Sequence, residues 1–194
     1  MLHSRSLTLR PAKSSDVAAR LAIGSEPDDN LRLYGVDPAT AEPFTKDHAE
    51  RWVKSLVDHP HAWVIESEGG ALLGLARLDR VDLIDRRASF AIGLLQSQSI
   101  GKGMGTEAGR AVLTYAFSEL NLHRVSLRVL ATNERAIRSY KRCGFQVEGR
   151  ERETAFFDGV WGAVWEYAEG RAAAQTGGIT TQKTDSDQIT NSHQ

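Results

Sequence analysis

The segment Asn133–Phe145 limits the fold most strongly, because it reads as a short helix with both ends marked. Asn133 is a favourable N-cap residue, since its side chain can accept a hydrogen bond from a free amide of the first turn. Cations follow toward the carboxyl end, where the helix dipole favours them. Gly144 is placed for a left-handed C-terminal cap, after which Phe145 can pack back against the helix. The sequence therefore predicts a helix over 133–143 that ends abruptly.

A second informative feature is a glycine-rich turn containing Gly101, Gly103 and Gly105. It lies between a nearly continuous apolar stretch, Ala88–Leu95, which predicts a strand buried on both faces, and a helical pattern from Thr106 to Leu120. Glycine permits positive φ and lets the backbone approach a ligand closely. The free amides of the following helix favour an anion. The turn therefore predicts a binding site for a phosphate or pyrophosphate.

The remaining pattern predicts an α/β fold. A helix following Ser14 and Ser15 reaches Ile23, with Val17, Ala18 and Leu21 as its apolar side. Gly24–Phe44 has no clear period and is interpreted as a loop or broken helix, and Asp79–Arg86 as a charged loop. A further helix is predicted over Asp47–Val57, and strands over Leu7–Arg10, Ala62–Glu66, Leu72–Leu78, Arg124–Leu130, Gln146–Phe156 and Trp161–Tyr167, with hairpin turns at Gly69-Gly70 and Asp158-Gly159.

Size and composition favour one cytoplasmic domain. The 194 residues carry a net charge of −1, which gives no general attraction to nucleic acid or to an anionic membrane. No apolar run approaches the ~20 residues of a membrane span. The single cysteine, Cys143, cannot form an internal disulfide, so a reducing compartment fits, and we interpret it as a small buried apolar residue. We expect a domain over 1–170 and a disordered tail or expression remnant over 171–194.

The glycine turn alone leaves another class of protein open. Gly103–Ala108 also matches the dinucleotide pattern G-x-G-x-x-G/A of nucleotide-dependent oxidoreductases. Two features oppose that interpretation: the glycines follow several strands, and the next strand ends without an acidic residue placed for a ribose.

Both segments together resemble the signature motifs of the GCN5-related N-acetyltransferases, the GNAT superfamily. Ile100–Ala108 reads I-G-K-G-M-G-T-E-A, similar to the family's Q/R-x-x-G-x-G/A, with Ile100 at the polar lead position. Asn133–Phe145 reads N-E-R-A-I-R-S-Y-K-R-C-G-F, similar to N-x-x-[AS]-x-x-x-Y-x-K-x-G-F, with Arg142 in place of lysine. The form G-K-G-x-G/A-T-E-A is similar to the branch of ribosomal-protein N-terminal acetyltransferases and spermidine acetyltransferases.

This resemblance implies a GNAT fold: a central mixed, mostly antiparallel, splayed β-sheet flanked by helices. It implies acetyl-CoA as co-substrate and no metal. By the resemblance, the acetyl-CoA-binding residues are Gly93, Leu94, Leu95, Ile100, Gly101, Lys102, Gly103, Met104, Gly105, Thr106, Asn133, Ala136, Tyr140 and Arg142.

The resemblance also implies catalytic roles. Tyr140 is expected near the thioester sulfur, where a phenol can protonate the leaving thiolate. Asn133 is expected to contact the pantetheine arm or an active-site water. The oxyanion donor is expected to be a backbone amide around Gly93–Leu95. No general base stands out, so we expect deprotonation through water or by a loop carboxylate such as Asp82 or Asp85.

The acceptor is expected to be a primary amine, either a protein N-terminus or a small cation such as a polyamine or aminoglycoside. Seven acidic residues against two basic ones between Gly24 and Glu50 would attract such a cation. These acids are Glu26, Asp28, Asp29, Asp37, Glu42, Asp47 and Glu50. We expect no nucleic acid or membrane partner, and a homodimer is left open. The alternative is a non-catalytic acyl-CoA-binding regulatory module.

Overall fold

The computed structural model describes residues 1–33, 36–157 and 160–170. Within these residues, eight strands form one sheet: β1 (Leu2–His3), β2 (Leu7–Arg10), β3 (Ala62–Ser67), β4 (Leu72–Asp82), β5 (Arg87–Leu94), β6 (Arg124–Leu130), β7 (Gln146–Phe157) and β8 (Val160–Gly170). Five helices accompany them: α1 (Asp16–Ile23), α2 (Asp28–Leu33), α3 (Lys46–Val57), α4 (Met104–Ser118) and α5 (Glu134–Arg142). The strand order is β1-β2-β3-β4-β5-β6-β8-β7, and every neighbouring pair is antiparallel except β5 and β6.

The sheet is covered on both faces, and β3 shows how the sequence achieves this. Trp63 and Ile65 point into the main core, which also holds the buried face of α4. Ala62 and Val64 point to the other face, where Leu56 of α3 packs. Because successive strand residues point to opposite faces, an unbroken apolar strand becomes a central layer between two groups of helices.

The feature that shapes the site is a divergence between β5 and β6. These strands pair only where Arg87–Ser89 lies opposite Arg124–Ser126. Beyond that point β5 stays with β4 as far as Leu94, while β6 stays with β8 over its whole length. The sheet therefore opens into a wedge. The predicted fold, a mixed, mostly antiparallel, splayed sheet flanked by helices, is confirmed.

The predicted ends of α5 are confirmed as well. The Asn133 side chain accepts a hydrogen bond from the Ala136 amide at 3.1 Å, as an N-cap should. At the other end Gly144 has a φ of 104°, and the Phe145 amide donates to the Tyr140 carbonyl at 3.1 Å. This left-handed glycine closes the helix and turns Phe145 back into the core.

The apolar side predicted for α1 is wrong. Ala18 and Leu21 are exposed and Val17 is only half-buried, whereas the buried residues of this helix are Asp16 and Arg20. The apolar residues do recur at helical spacing, but contacts of the charged residues Asp16 and Arg20 hold this helix in place.

Two charged side chains of α1 make these contacts. The Asp16 carboxylate accepts from both terminal nitrogens of Arg10, at 2.8 and 2.9 Å. The Arg20 guanidinium lies 3.9 Å from the centre of the Phe44 ring and donates to the Gly24 carbonyl at 2.6 Å. A bidentate ion pair and a cation–π contact thus replace the apolar interface that the sequence suggested.

Several boundaries also differ from the predictions. Strand β4 continues to Asp82, so the charged loop shrinks to a tight turn, and α2 forms inside the region expected as a loop or broken helix. Strand β5 is not buried on both faces, since most of its second half is half-buried at the wedge. The predicted turn at Asp158-Gly159 and the predicted tail lie outside the described residues. Among the described helices, none has the length and apolar character needed to cross a bilayer.

Candidate active site

The wedge between β5 and β6 encloses a cavity of about 660 Å³. Phe90–Leu94 of β5 forms one wall, and Val129 and Leu130 of β6 contribute to the opposite wall. Helix α5 and the glycine turn before α4 close the remaining sides. Gly93 and Leu94, both predicted to bind acetyl-CoA, line this cavity.

The wall formed by β5 presents free backbone groups to this cavity. The Leu95 amide donates to the Leu73 carbonyl at 2.9 Å, on the β4 side of the strand. Because successive residues direct their backbone groups to opposite edges, Ile92 and Leu94 direct theirs toward the wedge. The Leu94 carbonyl agrees, since it accepts from the Asn30 side chain across the opening at 3.1 Å. The amides of Ile92 and Leu94 are thus donors at an edge that β6 has left.

The glycine turn supplies a second set of donors. Gly101 and Gly103 have φ values of 79° and 83°, which L-residues adopt only at a cost, so glycine is required at both positions. Gly103 is the N-cap of α4, and the first helical amides, those of Met104, Gly105 and Thr106, lack intrahelical acceptors. The residues of this segment that line the cavity are Ile100, Gly101, Gly103, Gly105 and Thr106.

Helix α5 brings the second motif to the same cavity. Asn133, Ala136, Tyr140 and Arg142, all predicted, line it. The Thr106 and Ser139 hydroxyls are 2.9 Å apart, which ties the start of α4 to the middle of α5. Two segments about thirty residues apart in the chain thus form one site.

Tyr140 is held by two buried phenylalanines. Its ring meets Phe90 edge-on at 6.4 Å between centroids and meets Phe145 edge-on at 5.9 Å. Edge-to-face packing of this kind fixes the direction of a ring as well as burying it. The phenol is therefore oriented in the cavity by the β5 wall and by the residue that follows the helix cap.

Asn133 has a divided role. Its side-chain oxygen caps α5, and its side-chain nitrogen donates no hydrogen bond to any described residue. That NH₂ group and the second lone pair of the side-chain oxygen can both meet a ligand or a water.

The structure adds site residues that the sequence did not reveal. Asn30 of α2 is 3% exposed, donates to the Leu94 carbonyl and accepts from Arg135 at 3.0 Å. No local pattern could have identified Asn30, because it lies in a region without a clear period. Arg135, Arg138 and Ser139 also line the cavity, and the helical period of α5 could have found them.

Three predicted acetyl-CoA-binding residues do not line the cavity. Leu95 is 3% exposed and packs with Leu56 on the other face of the sheet, as strand alternation requires. Met104 packs against the main core, so only its backbone amide belongs to the glycine turn. The side chain of Lys102 is exposed at the rim.

Asp82 and Asp85 cannot serve as the general base. They lie at the turn before Arg87, and β5 then runs roughly 20 Å before it reaches Leu94. The Asp85 and Ile84 amides, together with Arg87, lower the pKa of Asp82, although slight burial opposes them. The Asp82 carboxylate caps the turn by accepting from the Ile84 and Asp85 amides, and the Asp85 carboxylate pairs with Arg87 at 3.0 Å.

The acidic residues between Gly24 and Glu50 are partly neutralised. Burial raises the pKa of Glu26, which lies 3.7 Å from Arg20. Glu42 approaches His48 at 3.7 Å, and Glu50 pairs with Lys46 at 3.3 Å. None of these carboxylates lines the cavity, and the Asp29 side chain lies outside the described residues.

Cys143, interpreted from the sequence as a small buried apolar residue, is half-buried and packs against the main core. Burial raises the pKa of its thiol to about 11, against the opposing effect of Arg110, so it is protonated at neutral pH. Its sulfur donates to the Thr106 carbonyl at 3.4 Å. Within the described ranges, no three His, Cys, Asp or Glu side chains are grouped as ligands for a metal.

A sheet opened between two parallel strands, with free amides on one wall and a phosphate-binding turn beside it, defines an acyl-CoA-dependent transferase. A family model described as Acetyltransferase (GNAT) domain matches residues 6–146, and the chain belongs to this family. The predicted family is confirmed, and the dinucleotide-binding interpretation is wrong.

The chain is also similar to individual N-acetyltransferases. The chain is 35% identical over 156 residues to the spermidine N(1)-acetyltransferase of Vibrio cholerae, covering 79% of this chain and 86% of the relative. It is 28% identical over 128 residues to the putative ribosomal N-acetyltransferase YdaF of Bacillus subtilis, covering 66% and 69%. The structure of the Vibrio cholerae spermidine N-acetyltransferase in complex with CoA and spermine superposes with a TM-score of 0.72 at 26% identity, covering 87% and 98%. The chain is an acetyl-CoA-dependent N-acetyltransferase acting on a primary amine.

Proposed function

We propose that the wedge is the site of acetyl transfer, with Tyr140 as general acid and the β5 amides as oxyanion donors. The observation that carries this proposal concerns the unpaired edge of β5. The backbone amides of Ile92 and Leu94 face the cavity there, and the Tyr140 ring packs against Phe90 of the same strand. One surface thereby offers hydrogen-bond donors for a developing negative charge and a phenol for a leaving group.

The residues present suit acetyl-CoA. A Cβ added at Gly101 or Gly103 would meet no atom within 4 Å, so the turn is open on the side where a pyrophosphate would lie. Helix amides and the arginines of α5 complement its charge. When bound there, acetyl-CoA supplies the activated acetyl thioester.

Each of the chain's own groups would then have one role as the amine attacks the thioester carbonyl carbon and the carbon–sulfur bond breaks. The amides of Ile92 and Leu94 bind the carbonyl oxygen as negative charge grows on it. Tyr140 donates its proton to the departing sulfur. Asn133 offers its NH₂ group to the pantetheine arm or to a water.

The acceptor amine must lose a proton, and we propose that water removes it. No described residue that lines the cavity carries a carboxylate or an imidazole. We therefore expect kcat/KM to rise with pH until the acceptor amine itself is deprotonated, without a plateau set by a residue of the chain.

We propose a small-molecule primary amine as the acceptor, with polyamines as the first class to test. Support comes from the 35% identical spermidine N(1)-acetyltransferase and from the exposed carboxylate of Asp28. Asn30, on the same short helix as Asp28, lines the cavity, so this helix borders the acceptor entrance. A protein N-terminus is the competing acceptor, suggested by YdaF.

The experiment is release of free thiol from acetyl-CoA against a panel of amines. The panel holds spermidine, spermine, aminoglycosides and peptides beginning with Ala, Ser or Thr. We expect a polyamine to give the highest kcat/KM, and a preference for the peptides would overturn the acceptor proposal while keeping the reaction. Turnover by none of these amines, with CoA still bound, would favour the non-catalytic alternative.

We also propose a cytoplasmic location, supported by the single cysteine, which cannot form an internal disulfide and fits a reducing compartment.

A further inference from the structure

The side chain of Asn30 spans the opening of the wedge and bonds to both of its walls. Its Nδ2 donates to the Leu94 carbonyl of β5 at 3.1 Å, and its Oδ1 accepts from the Arg135 guanidinium of α5 at 3.0 Å. Asn30 is 3% exposed, although it belongs to a six-residue helix in which Asp28 and Arg32 are exposed. Asn30 therefore connects two elements that the divergence of the sheet has separated.

The bond to Leu94 fixes the last peptide of β5. The carbonyl of this peptide belongs to Leu94 and accepts from Asn30, while its amide belongs to Leu95 and donates to the Leu73 carbonyl at 2.9 Å. The peptide is thus hydrogen-bonded on both edges of the strand. In the paired half of β5 the second edge is held by β6, which has parted from β5 before this point. Asn30 takes the place of β6 here and restrains the backbone that carries the Leu94 amide.

The bond to Arg135 restrains the opposite wall. Arg135 lies in the first turn of α5, directly after the capped start of this helix at Asn133. The helix has nine residues and includes Tyr140, so a restraint on its first turn also fixes the place of the phenol. Asn30 thereby joins the strand that carries the proposed oxyanion donors to the helix that carries the proposed general acid.

The backbone that carries Asn30 is itself fixed. Arg20 is 2% exposed, and its guanidinium donates to the Gly24 carbonyl at 2.6 Å and lies 3.7 Å from the Glu26 carboxylate. At the start of α2, the Asn30 amide donates to the Pro27 carbonyl at 2.8 Å. The side chain of Asn30 therefore extends into the wedge from a backbone that is held on its own side.

We propose that Asn30 is a positioning residue that sets the distance between the Leu94 amide and the Tyr140 phenol by bonding to both walls. This inference rests on the proposed roles of these two groups in acetyl transfer. The oxyanion and the departing sulfur are bonded to the same carbon in the tetrahedral intermediate, so the donor and the acid must be correctly placed at the same time. A misplacement of about 1 Å can cost on the order of 100-fold in rate. Asn30 would thus control kcat without touching a reacting atom.

Two substitutions at Asn30 test this role, with kcat measured at saturating acetyl-CoA and the preferred amine of the panel. Asn30→Ala removes both bonds, and Asn30→Asp removes the donor to Leu94 while keeping an acceptor for Arg135. We expect each to lower kcat about tenfold, because the β5 wall loses its restraint. Ser25→Ala, an exposed position in the segment before α2, is the control and should leave kcat unchanged.

Calorimetric titration with CoA separates positioning from folding. We expect both Asn30 variants to bind CoA with the stoichiometry and nearly the affinity of the unaltered protein, so that the fall appears in kcat. A fall in kcat matched by an equal fall in the stoichiometry of CoA binding would mean that only folded protein had been lost, and it would overturn the positioning role.

A double-mutant cycle tests whether the two bonds act as one bridge. Arg135→Met removes the guanidinium and should also lower kcat at saturating acetyl-CoA. Asn30→Ala combined with Arg135→Met should be no slower than the slower single variant, because either change breaks the same connection. Effects that multiply in the double variant would show two independent contacts and would overturn the bridge.

The outcomes also separate this inference from the proposed function. Unchanged kcat in both Asn30 variants, together with a loss of turnover in Tyr140→Phe, would overturn the role of Asn30 alone. Full turnover in Tyr140→Phe would overturn the proposed function and this inference with it, since Asn30 would then have no general acid to position.

Discussion

The two halves of β5, Arg-Ala-Ser and Phe-Ala-Ile-Gly-Leu, lie in one continuous strand but have opposite uses. Arg87–Ser89 pairs with both β4 and β6, so its backbone groups are bonded on both edges. Phe90–Leu94 pairs with β4 only, and its other edge faces the wedge cavity. We propose that binding capacity arises where the sheet leaves backbone donors unbonded, while the paired half holds the strand in place.

We expect the largest effect on turnover from a change beside Phe90–Leu94, the half of β5 that faces the cavity. Tyr140→Phe removes the proposed proton donor and keeps the ring that packs on Phe90. We expect kcat to fall about 100-fold or more, with CoA affinity unchanged in a direct titration. The control is Tyr167→Phe, a buried tyrosine whose hydroxyl bonds to no described residue. Unchanged turnover in Tyr140→Phe would contradict the general-acid assignment.

The second largest effect is expected at Gly74 of β4, which lies against Gly93 in the half of β5 that faces the cavity. A Cβ at Gly74 would lie 2.1 Å from the Gly93 carbonyl oxygen, so Gly74→Ala must displace the β5 wall. We expect a loss of roughly 1–3 kcal/mol in the free energy of unfolding, together with weaker CoA binding. Urea unfolding and calorimetry measure the two.

Gly69→Ala provides the comparison for that change, because its Cβ would come no closer than 3.9 Å to the Ser67 hydroxyl oxygen. It should leave the free energy of unfolding and CoA binding nearly unchanged. Full activity and stability in Gly74→Ala would show that the wall can move without consequence.

A smaller effect concerns a buried carboxyl group on β8, beside the part of β6 that pairs with Arg87–Ser89. Glu169 is opposite Val125 in the β6–β8 pairing, and one of its oxygens has no hydrogen-bond partner among the described residues. Burial raises its pKa, so the folded state holds the proton more tightly than the unfolded state. Stability contributed by this group is therefore present at low pH and is lost as the pH rises above the ordinary carboxyl pKa.

Glu169→Gln should remove the loss of stability that ionisation of Glu169 causes as the pH rises. We expect a gain of about 1 kcal/mol in the free energy of unfolding at pH 7, which disappears below roughly pH 4. Glu166→Gln, an exposed neighbour on β8, should give little change at either pH. Destabilisation of Glu169→Gln at pH 7 would mean that the ionised carboxylate is needed for the fold.

The smallest effect is expected at the end of the chain. Strand β8 ends at Gly170, and we propose that the catalytic domain spans residues 1–170. Removal of residues 171–194 should leave kcat, KM and the unfolding midpoint within error of the full chain. A fall in any of them would extend the functional domain past β8.

Local chemistry explains why α5 was predictable and α1 was not. Asn133 and Gly144 bond within their own helix, so their roles follow from neighbouring residues in the sequence. Asp16 and Arg20 are buried by Arg10 and Phe44, which meet them only in the fold. The sequence also misplaced Leu95, which does not line the cavity. One step along a strand moves a side chain to the opposite face of the sheet.

By itself, the sequence determined the glycine turn and the capped helix α5, because glycine turns, caps and helical periods depend on residues a few positions apart. It also determined the family, through the spacing of those segments. Only the tertiary structure decided where β5 and β6 part, that Asn30 reaches Leu94, and that Glu107 binds Ser4 and Ser6. These contacts join residues up to a hundred positions apart, and no local preference encodes them, since they depend on how the sheet and its helices pack together.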